Sequence, residues 1–347
     1  MNNIYVIHAL LAAALFGAST PFAKLLVGEM SPWLLAGLLY LGSGVGLAVA
    51  RLIRDRTWRP SGLAEGEWPW LLGAIFFGGV LGPLALMFGL MRTSGSTASL
   101  LLNLEAVLTA VIAWVVFKEN ADRRIVLGML AIVAGGAVLS WPGGDAGTSD
   151  WYGPFAIVAA CLCWAIDNNL TRRVAASDAL FIAGAKGAVA GSVNAGLAFA
   201  LGASLPAGPI LLGTLAVGLL GYGISLVLFV LALRALGTAR TGAYFSTAPF
   251  IGAAFSLVLL GESTSPAFWL ASALMVWGVW LHLTEHHEHE HVHEPMEHSH
   301  RHVHDAHHQH EHDFGWIGEE PHEHWHRHEA MVHKHPHFPD MHHRHLH

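Results

Sequence analysis

The sequence predicts an all-α integral membrane protein with ten transmembrane helices, arranged as two inverted five-helix repeats and followed by a disordered cytoplasmic tail. Three observations carry this prediction. Only 12% of the 347 residues are Asp, Glu, Lys or Arg while 53% are hydrophobic, and mean hydropathy is positive, a balance that belongs to a chain embedded in lipid. An apolar stretch at residues 95–119 returns without a gap at 238–262, an offset of 143 that sets Pro249 on Ala106 and Glu262 on Glu119. Beyond Thr284 lie 24 of the 26 His and 13 of the 25 acidic residues, so the first 284 residues carry a net charge of +2 and the rest −9 with His neutral. Two different physical objects share the chain, and the expected units are 1–142, 151–284 and 285–347.

A crossing of about 30 Å of hydrocarbon takes about 20 helical residues. Apolar runs of that order occupy residues 4–26, 32–53, 67–90, 96–117, 124–141, 152–171, 178–201, 209–233, 240–260 and 265–284. The first begins MNNIYVIH, without the basic start of a secretory leader, and is expected to stay as the first crossing. Turn chemistry separates the runs: Ser31 with Pro32, then Arg59, Pro60, Ser61 and Gly62, then Trp141, Pro142, Gly143 and Gly144. Pro206 to Pro209 and Ser265 with Pro266 continue the pattern in the second half. Lipid leaves no water to satisfy open strand edges, so these runs are helices. Cys161 and Cys163 lie two apart, on different faces of one run, and are read as small packing residues rather than a disulfide or metal pair.

Lys and Arg fix the orientation. Arg51, Arg54, Arg56 and Arg59 follow the second run, Lys118, Arg123 and Arg124 the fourth, Arg172 and Arg173 the sixth, Arg234 and Arg240 the eighth. The opposite connections hold only Lys24 and Arg92, which puts both termini in the cytoplasm; a bacterial inner membrane is the expected location. An odd number of helices per repeat forces the second copy to enter upside down, so matched connections should exchange charge character. They do: the connection after the second run has four basic residues and its match none, and that after the fourth has three and its match, GESTSP, none. The first runs align too, Phe16 and Gly17 on Trp164 and Ala165, and Lys24 on Arg172.

This layout, the aromatic-small step in the first and sixth runs, and the small-residue-rich runs ending in Phe117-Lys118-Glu119 and Leu260-Gly261-Glu262 resemble the EamA family of the drug/metabolite transporter superfamily. The resemblance covers about residues 1–284 and implies an inverted-repeat carrier that exports or exchanges small metabolites, with no required cofactor. Two positions differ from the usual pattern. The family's Trp-Gly in the first helix is Phe16-Gly17 here, and the cation often seen in the second helix is Leu39 or Tyr40, while Lys186 keeps a cation at the matching place in the seventh.

Charged groups at bilayer depth cost about 2.5–3.5 kcal/mol on insertion scales and need a partner or a wet cavity. Glu105 and Lys186 count to the middle of their helices; Asp167 counts to about four residues from the inner end of the sixth, beside Asn168 and Asn169. Two readings stand open: Glu105 and Lys186 line a central cavity, binding the charged ends of a substrate or exchanging a coupling proton, or they are structural charges. Asn103, Tyr40 and Tyr244 extend the candidate substrate set, and Asn194, Tyr222, Ser246 and Thr247 are the other hydrogen-bonding groups in apolar surroundings. Gly42, Gly46, Gly187 and Gly191 are spaced for close helix contact, within a monomer in preference to a homodimer. Glu119 and Glu262, at the ends of matched helices, are read as anchors or caps.

The tail interleaves His with Glu and Arg, and residues 294–302 recur at 320–328 with seven of nine positions identical. Low apolar content predicts disorder for the free tail. Imidazoles among carboxylates suit Zn²⁺, Ni²⁺, Co²⁺ or Cu²⁺, and the candidate ligands are His286, His287, His289, His291, His298, His300, His302, His304, His324, His326 and His328. A pH-sensing role fits the same residues, because protonation of every tail His would move its charge from −9 to +15. Three functions compete: a secondary exporter of small organic metabolites, a divalent-metal carrier with the tail as cytoplasmic collector, and a non-transporting membrane-anchored metal buffer. Their partners are a small-molecule substrate, the lipid bilayer and divalent metal ions. No phosphate loop, zinc-protease helix or nucleophile elbow points to an enzyme, and no basic stripe with interleaved aromatics points to nucleic acid.

Overall fold

In a computed structural model, the chain is described at residues 3–56, 61–117, 123–141, 151–174, 177–284, 288–293, 296–302, 322–328 and 331–336. Helices dominate the described residues up to 284: α1 (Asn3–Leu26), α2 (Pro32–Asp55), α3 (Trp68–Ala74), α4 (Gly82–Arg92), α5 (Gly95–Leu101), α6 (Leu104–Phe117) and α7 (Arg123–Ser140). They continue with α8 (Tyr152–Thr171), α9 (Ala179–Ala200), α10 (Gly208–Gly218), α11 (Ser225–Phe245), α12 (Ala248–Leu260) and α13 (Pro266–Leu283). Eight helical segments among the described residues are long and apolar enough to cross a membrane; Ala248–Leu260 and Pro266–His282 are apolar but shorter. The chain is an integral membrane protein.

Local chemistry sets the ends. Ser31 accepts from Leu34 N at 3.3 Å with Pro32 at the first helical position of α2, and Arg56 ends it in the left-handed region at φ 54°. Ser94 accepts from Thr97 N at 3.2 Å to start α5, and Ser265 from Ala267 N at 3.1 Å, ahead of Pro266, to start α13. Gly261, at φ 61°, stops α12, where a side chain would be strained.

One expected boundary is absent. The connection between the runs 209–233 and 240–260, which holds Arg234 and Arg240, is continuous helix within α11. Ala, Leu and Arg dominate residues 231–240, no proline interrupts them, and these are among the strongest helix formers.

The irregularities that do occur recur. Between α3 and α4 the helix widens to a π-helical turn at Ile75–Leu81, and between α10 and α11 it does so at Leu219–Ile224. The break between α5 and α6 falls at residues 102–103, and that between α11 and α12 at 246–247, each pair 143 or 144 positions apart.

Close packing rests on glycine. The most extensive helix contact is α2 against α9; α7 packs on α13, α1 on α11 and α12, α8 on α4 and α6, and α5 on α12. At the α2 and α9 crossing, Gly44 and Gly187 meet backbone to backbone: a methyl on Gly187 would run into the Gly44 backbone, and one on Gly44 into Gly187 and Ala188. Gly191 sits against Leu41 N, while Gly42 and Gly46 face Leu215 and Leu219. All four glycines of the expected stripe therefore pack against other helices of the same chain.

The tail is described in four short stretches. Its described residues form β1 (Glu288–His293), β2 (Met296–His302), β3 (His322–His328) and β4 (Met331–Pro336), with β1 antiparallel to β4 and β2 antiparallel to β3. His at every second place matches the period of a strand.

Candidate functional site

A buried ion pair joins α8 to α9. Lys186 Nζ reaches both Asp167 oxygens at 2.6 Å, and Thr171, one helical turn beyond Asp167, donates its hydroxyl to Oδ1 at 2.8 Å. Lys186 Nζ also lies 3.3 Å from Thr171 Oγ1. The whole group is buried, Lys186 at 4% exposure and Asp167 at 6%. A 3₁₀ turn at Arg172–Val174 carries the helix on past Thr171. Lys186 is thus matched by Asp167 rather than by Glu105.

Glu105 stands in the first turn of α6, directly after the break at residues 102–103. Its Oε1 accepts from Asn168 Nδ2 at 2.8 Å, and that amide also lies 3.4 Å from Thr109 Oγ1. Glu105 is half-buried, and no cation among the described residues is within ion-pair distance of it. Asn168, next to Asp167 in the chain, is what ties Glu105 to the neighbourhood of the ion pair.

The π-helical turn at Ile75–Leu81 forms the far wall. Widening the helix frees carbonyls, and side chains from three helices take them up. Tyr40 Oη donates to Gly78 O at 2.7 Å and Trp164 Nε1 donates to the same oxygen at 2.9 Å; Asn194 Nδ2 lies 3.4 Å from both Gly79 O and Val80 O. Gly78 has to be glycine, since a Cβ there would collide with the Asp167 carboxylate. Aromatic rings continue from this wall: Tyr40 to Tyr222 at 5.4 Å between centroids, Tyr222 to Phe16 at 5.9 Å, and Phe16 to Trp164 at 6.0 Å.

Asn103 lies in the break itself at 2% exposure. Its amide donates to Leu100 O at 3.0 Å, while its Oδ1 has no partner. Tyr244 is not brought to the cluster; it packs in a separate apolar group with Ala9, Ala232 and Leu236. Glu262 is a cap, as its position implied: its two oxygens accept from Gly95 N at 2.6 Å and Ser96 N at 2.8 Å, the start of α5. Glu119 lies outside the described residues. Cys161 and Cys163 are free thiols, Cys161 buried with its Sγ toward Leu101 O.

Sequence reasoning missed Thr171, Thr109 and Gly78. Thr171 was signalled by its four-residue spacing from Asp167, and the ion pair by hairpin symmetry, with Asp167 ten residues before Ser177 and Lys186 nine after it. Of the eleven candidate tail ligands, His286, His287 and His304 lie outside the described residues, and the others occupy strand positions. Among the described residues, no group of three or more His, Cys, Asp and Glu is placed to hold a metal ion.

Comparison with known proteins places this arrangement. The chain is 27% identical over 292 residues to an uncharacterized transporter of Methanothermobacter thermautotrophicus, which covers 79% of this chain and 84% of the relative. It is 30% identical over 185 residues to the uncharacterized transporter YyaM of Bacillus subtilis, 49% of this chain and 56% of the relative. A solved structure described only as the crystal structure of a protein shares the fold with a TM-score of 0.62 at 22% identity, over 82% of this chain and 99% of the other. The model of the EamA-like transporter family matches twice, at residues 3–141 and 151–284, and the chain belongs to that family of membrane transporters.

Proposed function

We propose that the chain is a secondary carrier that exports small organic metabolites, with ten crossings in two inverted five-helix repeats and both termini in the cytoplasm. The observation that carries this reading is the recurrence of two kinds of helix irregularity, the π-turns at Ile75–Leu81 and Leu219–Ile224 and the breaks at 102–103 and 246–247, at nearly one offset. Discontinuous helices are where carriers of this kind place substrate groups at the repeat interface. The packing supports it. Exchanging helices at that offset maps the contact of α2 with α9 onto itself, and maps α8 against α6 onto α1 against α12. Gly44 and Gly187, 143 apart, touch each other, as residues related by a twofold axis do when they lie on it.

Within this reading the Asp167 and Lys186 pair is neutral scaffold, and Glu105 is the group left to act. Ionised, it accepts the Asn168 amide hydrogen bond and attracts a cation, either a proton or the ammonium end of a substrate. Protonated, it gains an O–H donor and loses that attraction, so occupancy of the carboxylate by one cation excludes the other. Asn103, with an unmet acceptor, and the ring series from Tyr40 to Phe16 are placed to contact the rest of the substrate.

The test is efflux from inside-out vesicles, across a metabolite panel first narrowed by growth of a deletion strain. Wild-type chain and a truncation after Thr284 should both rescue the metabolite phenotype. Glu105→Gln should abolish pH-dependent transport; an unchanged rate and pH profile would remove Glu105 from the mechanism. Rescue of metal sensitivity alone, and only by the full chain, would instead make metal the cargo.

A further inference from the structure

The seam between α5 and α12 joins the two halves that the family model matches, and small and polar residues build it. All seven residues of α5 are buried. Both helices are short and interrupted at either end: α5 lies between residues 93–94 and the break at 102–103, and α12 between the break at 246–247 and Gly261. Residues at the ends of elements are where hinges absorb changes in φ and ψ, so each helix can turn as a unit.

Two kinds of contact oppose each other in the seam. Glu262, just past the end of α12, holds the start of α5 with both carboxylate oxygens, which accept from Gly95 N at 2.6 Å and Ser96 N at 2.8 Å. Hydrogen bonds to a charged group are about twice as strong as neutral ones. Deeper in, the surfaces press together through glycine: a methyl on Gly95 would run into Ser256 Oγ, and one on Gly252 into Ser99 Oγ and Gly17 O. Yet the hydroxyls of Ser99 and Ser256, at 1% and 0% exposure, have no hydrogen-bond partner among the described residues. An unpaired buried polar group carries a desolvation cost that water removes, so closure is held against two hydroxyls that gain partners when the seam parts. A permanent packing surface would be better served by alanine at both places. Serine suits a surface that is wetted for part of a working cycle.

The opposite end of the bundle differs. At the offset of 143, α12 corresponds to α6, and α5 to residues 238–244 of α11. α6 packs mainly on α8 and more lightly on α7, with no comparable seam against α11 among the described residues. We propose that the seam of α5 with α12 is a gate, closed in this structure, and that Glu262 is the positioning residue that holds it shut. In the orientation proposed above it is the outer gate. Its role as a gate rests on the carrier reading, whereas its opening is measurable without any substrate.

The experiment labels the full-length chain in membrane vesicles of both orientations with a membrane-impermeant maleimide, after Cys161→Ala and Cys163→Ala remove the free thiols. Reporters are Ser256→Cys in the seam and Thr109→Cys on α6. Glu262→Ala should speed labelling of the seam reporter from the outer side by more than about tenfold, the loss of at least one charge-assisted hydrogen bond. It should also slow labelling of the Thr109→Cys reporter from the inner side, because the two open states draw on one population. Glu262→Gln, which keeps the shape and one acceptor oxygen, should fall between Glu262 and Glu262→Ala at both reporters. A rise at the seam without a fall at Thr109 would be fraying of α5 alone, and equal rates in all three proteins would mean that the seam does not part; either result overturns the proposal. A chain that carries no metabolite yet shows the reciprocal change keeps the gate and refutes the assigned cargo.

Discussion

Lys186→Met removes a charge while keeping a flexible stem of similar length, so its effect reports the ion pair rather than the packing. The side chains of Lys186 and Asp167 are 4% and 8% exposed, and the ammonium lies 2.6 Å from each carboxylate oxygen. Without it the carboxylate keeps only the Thr171 hydroxyl. Breaking a buried pair on one side costs about 3–5 kcal/mol, against about 0–1 kcal/mol for an exposed pair. Asp167→Asn should cost about as much as Lys186→Met, because it leaves the Lys186 ammonium buried without a counter-charge. The double variant, with no charge left to bury, should recover to within about 1–2 kcal/mol of wild type or exceed it. Unfolding in mixed detergent micelles, followed by circular dichroism for all four proteins, gives the coupling energy directly. A loss below about 1 kcal/mol for Lys186→Met, or a double variant equal to the sum of the singles, would refute the buried pair.

Other consequences can be checked on the same preparations. Glu262→Ala frees the first two N–H groups of α5 and should cost about 0.5–2 kcal/mol, with Glu262→Gln intermediate. Asp178 caps α9 and meets Arg51 at 2.9 Å and Arg54 at 2.7 Å. Burial pushes its carboxyl up, but the hydrogen bonds from Arg54 and Arg51 outweigh burial and hold it below the usual range. A depressed acid stabilises the fold above its unfolded value, near pH 4, and loses that contribution as pH falls through the folded one. The deficit of Asp178→Asn should therefore be full at pH 7 and fade below roughly pH 4, with a pH-independent deficit as the contrary result. Asn103→Leu exchanges one amide hydrogen bond for relief of an unpaired buried oxygen, each about 1 kcal/mol, so stability should hardly change while transport falls. Intact transport in that variant would remove Asn103 from the substrate path.

The sequence showed most of the membrane part because bilayers impose length and loops impose charge, and both are written in composition. It did not show where helices stay joined. Residues 231–240 carry Arg234 and Arg240, which read as a connection, yet Ala and Leu around them hold one helix through it. Nor were the π-turns legible: Gly78 and Gly79 mark one, but glycine in a membrane helix is equally a packing residue, as Gly44 and Gly187 are. Glu105 was legible as a charge at depth. That Lys186 pairs with Asp167 and not with it was not legible, since the pairing joins two helices across the fold.

The meeting of Gly44 with Gly187 has a mechanical side. Helices that interlock through side-chain ridges move by steps, one ridge lifting out of a groove before the next drops in. Two backbone surfaces pressed together with no side chains between them have nothing to lift. Such a contact turns like a plain bearing, and in the carrier proposed above it would lie where displacement is least. Larger residues there would act as a brake, slowing exchange between the two open states more than they weaken the binding of anything carried.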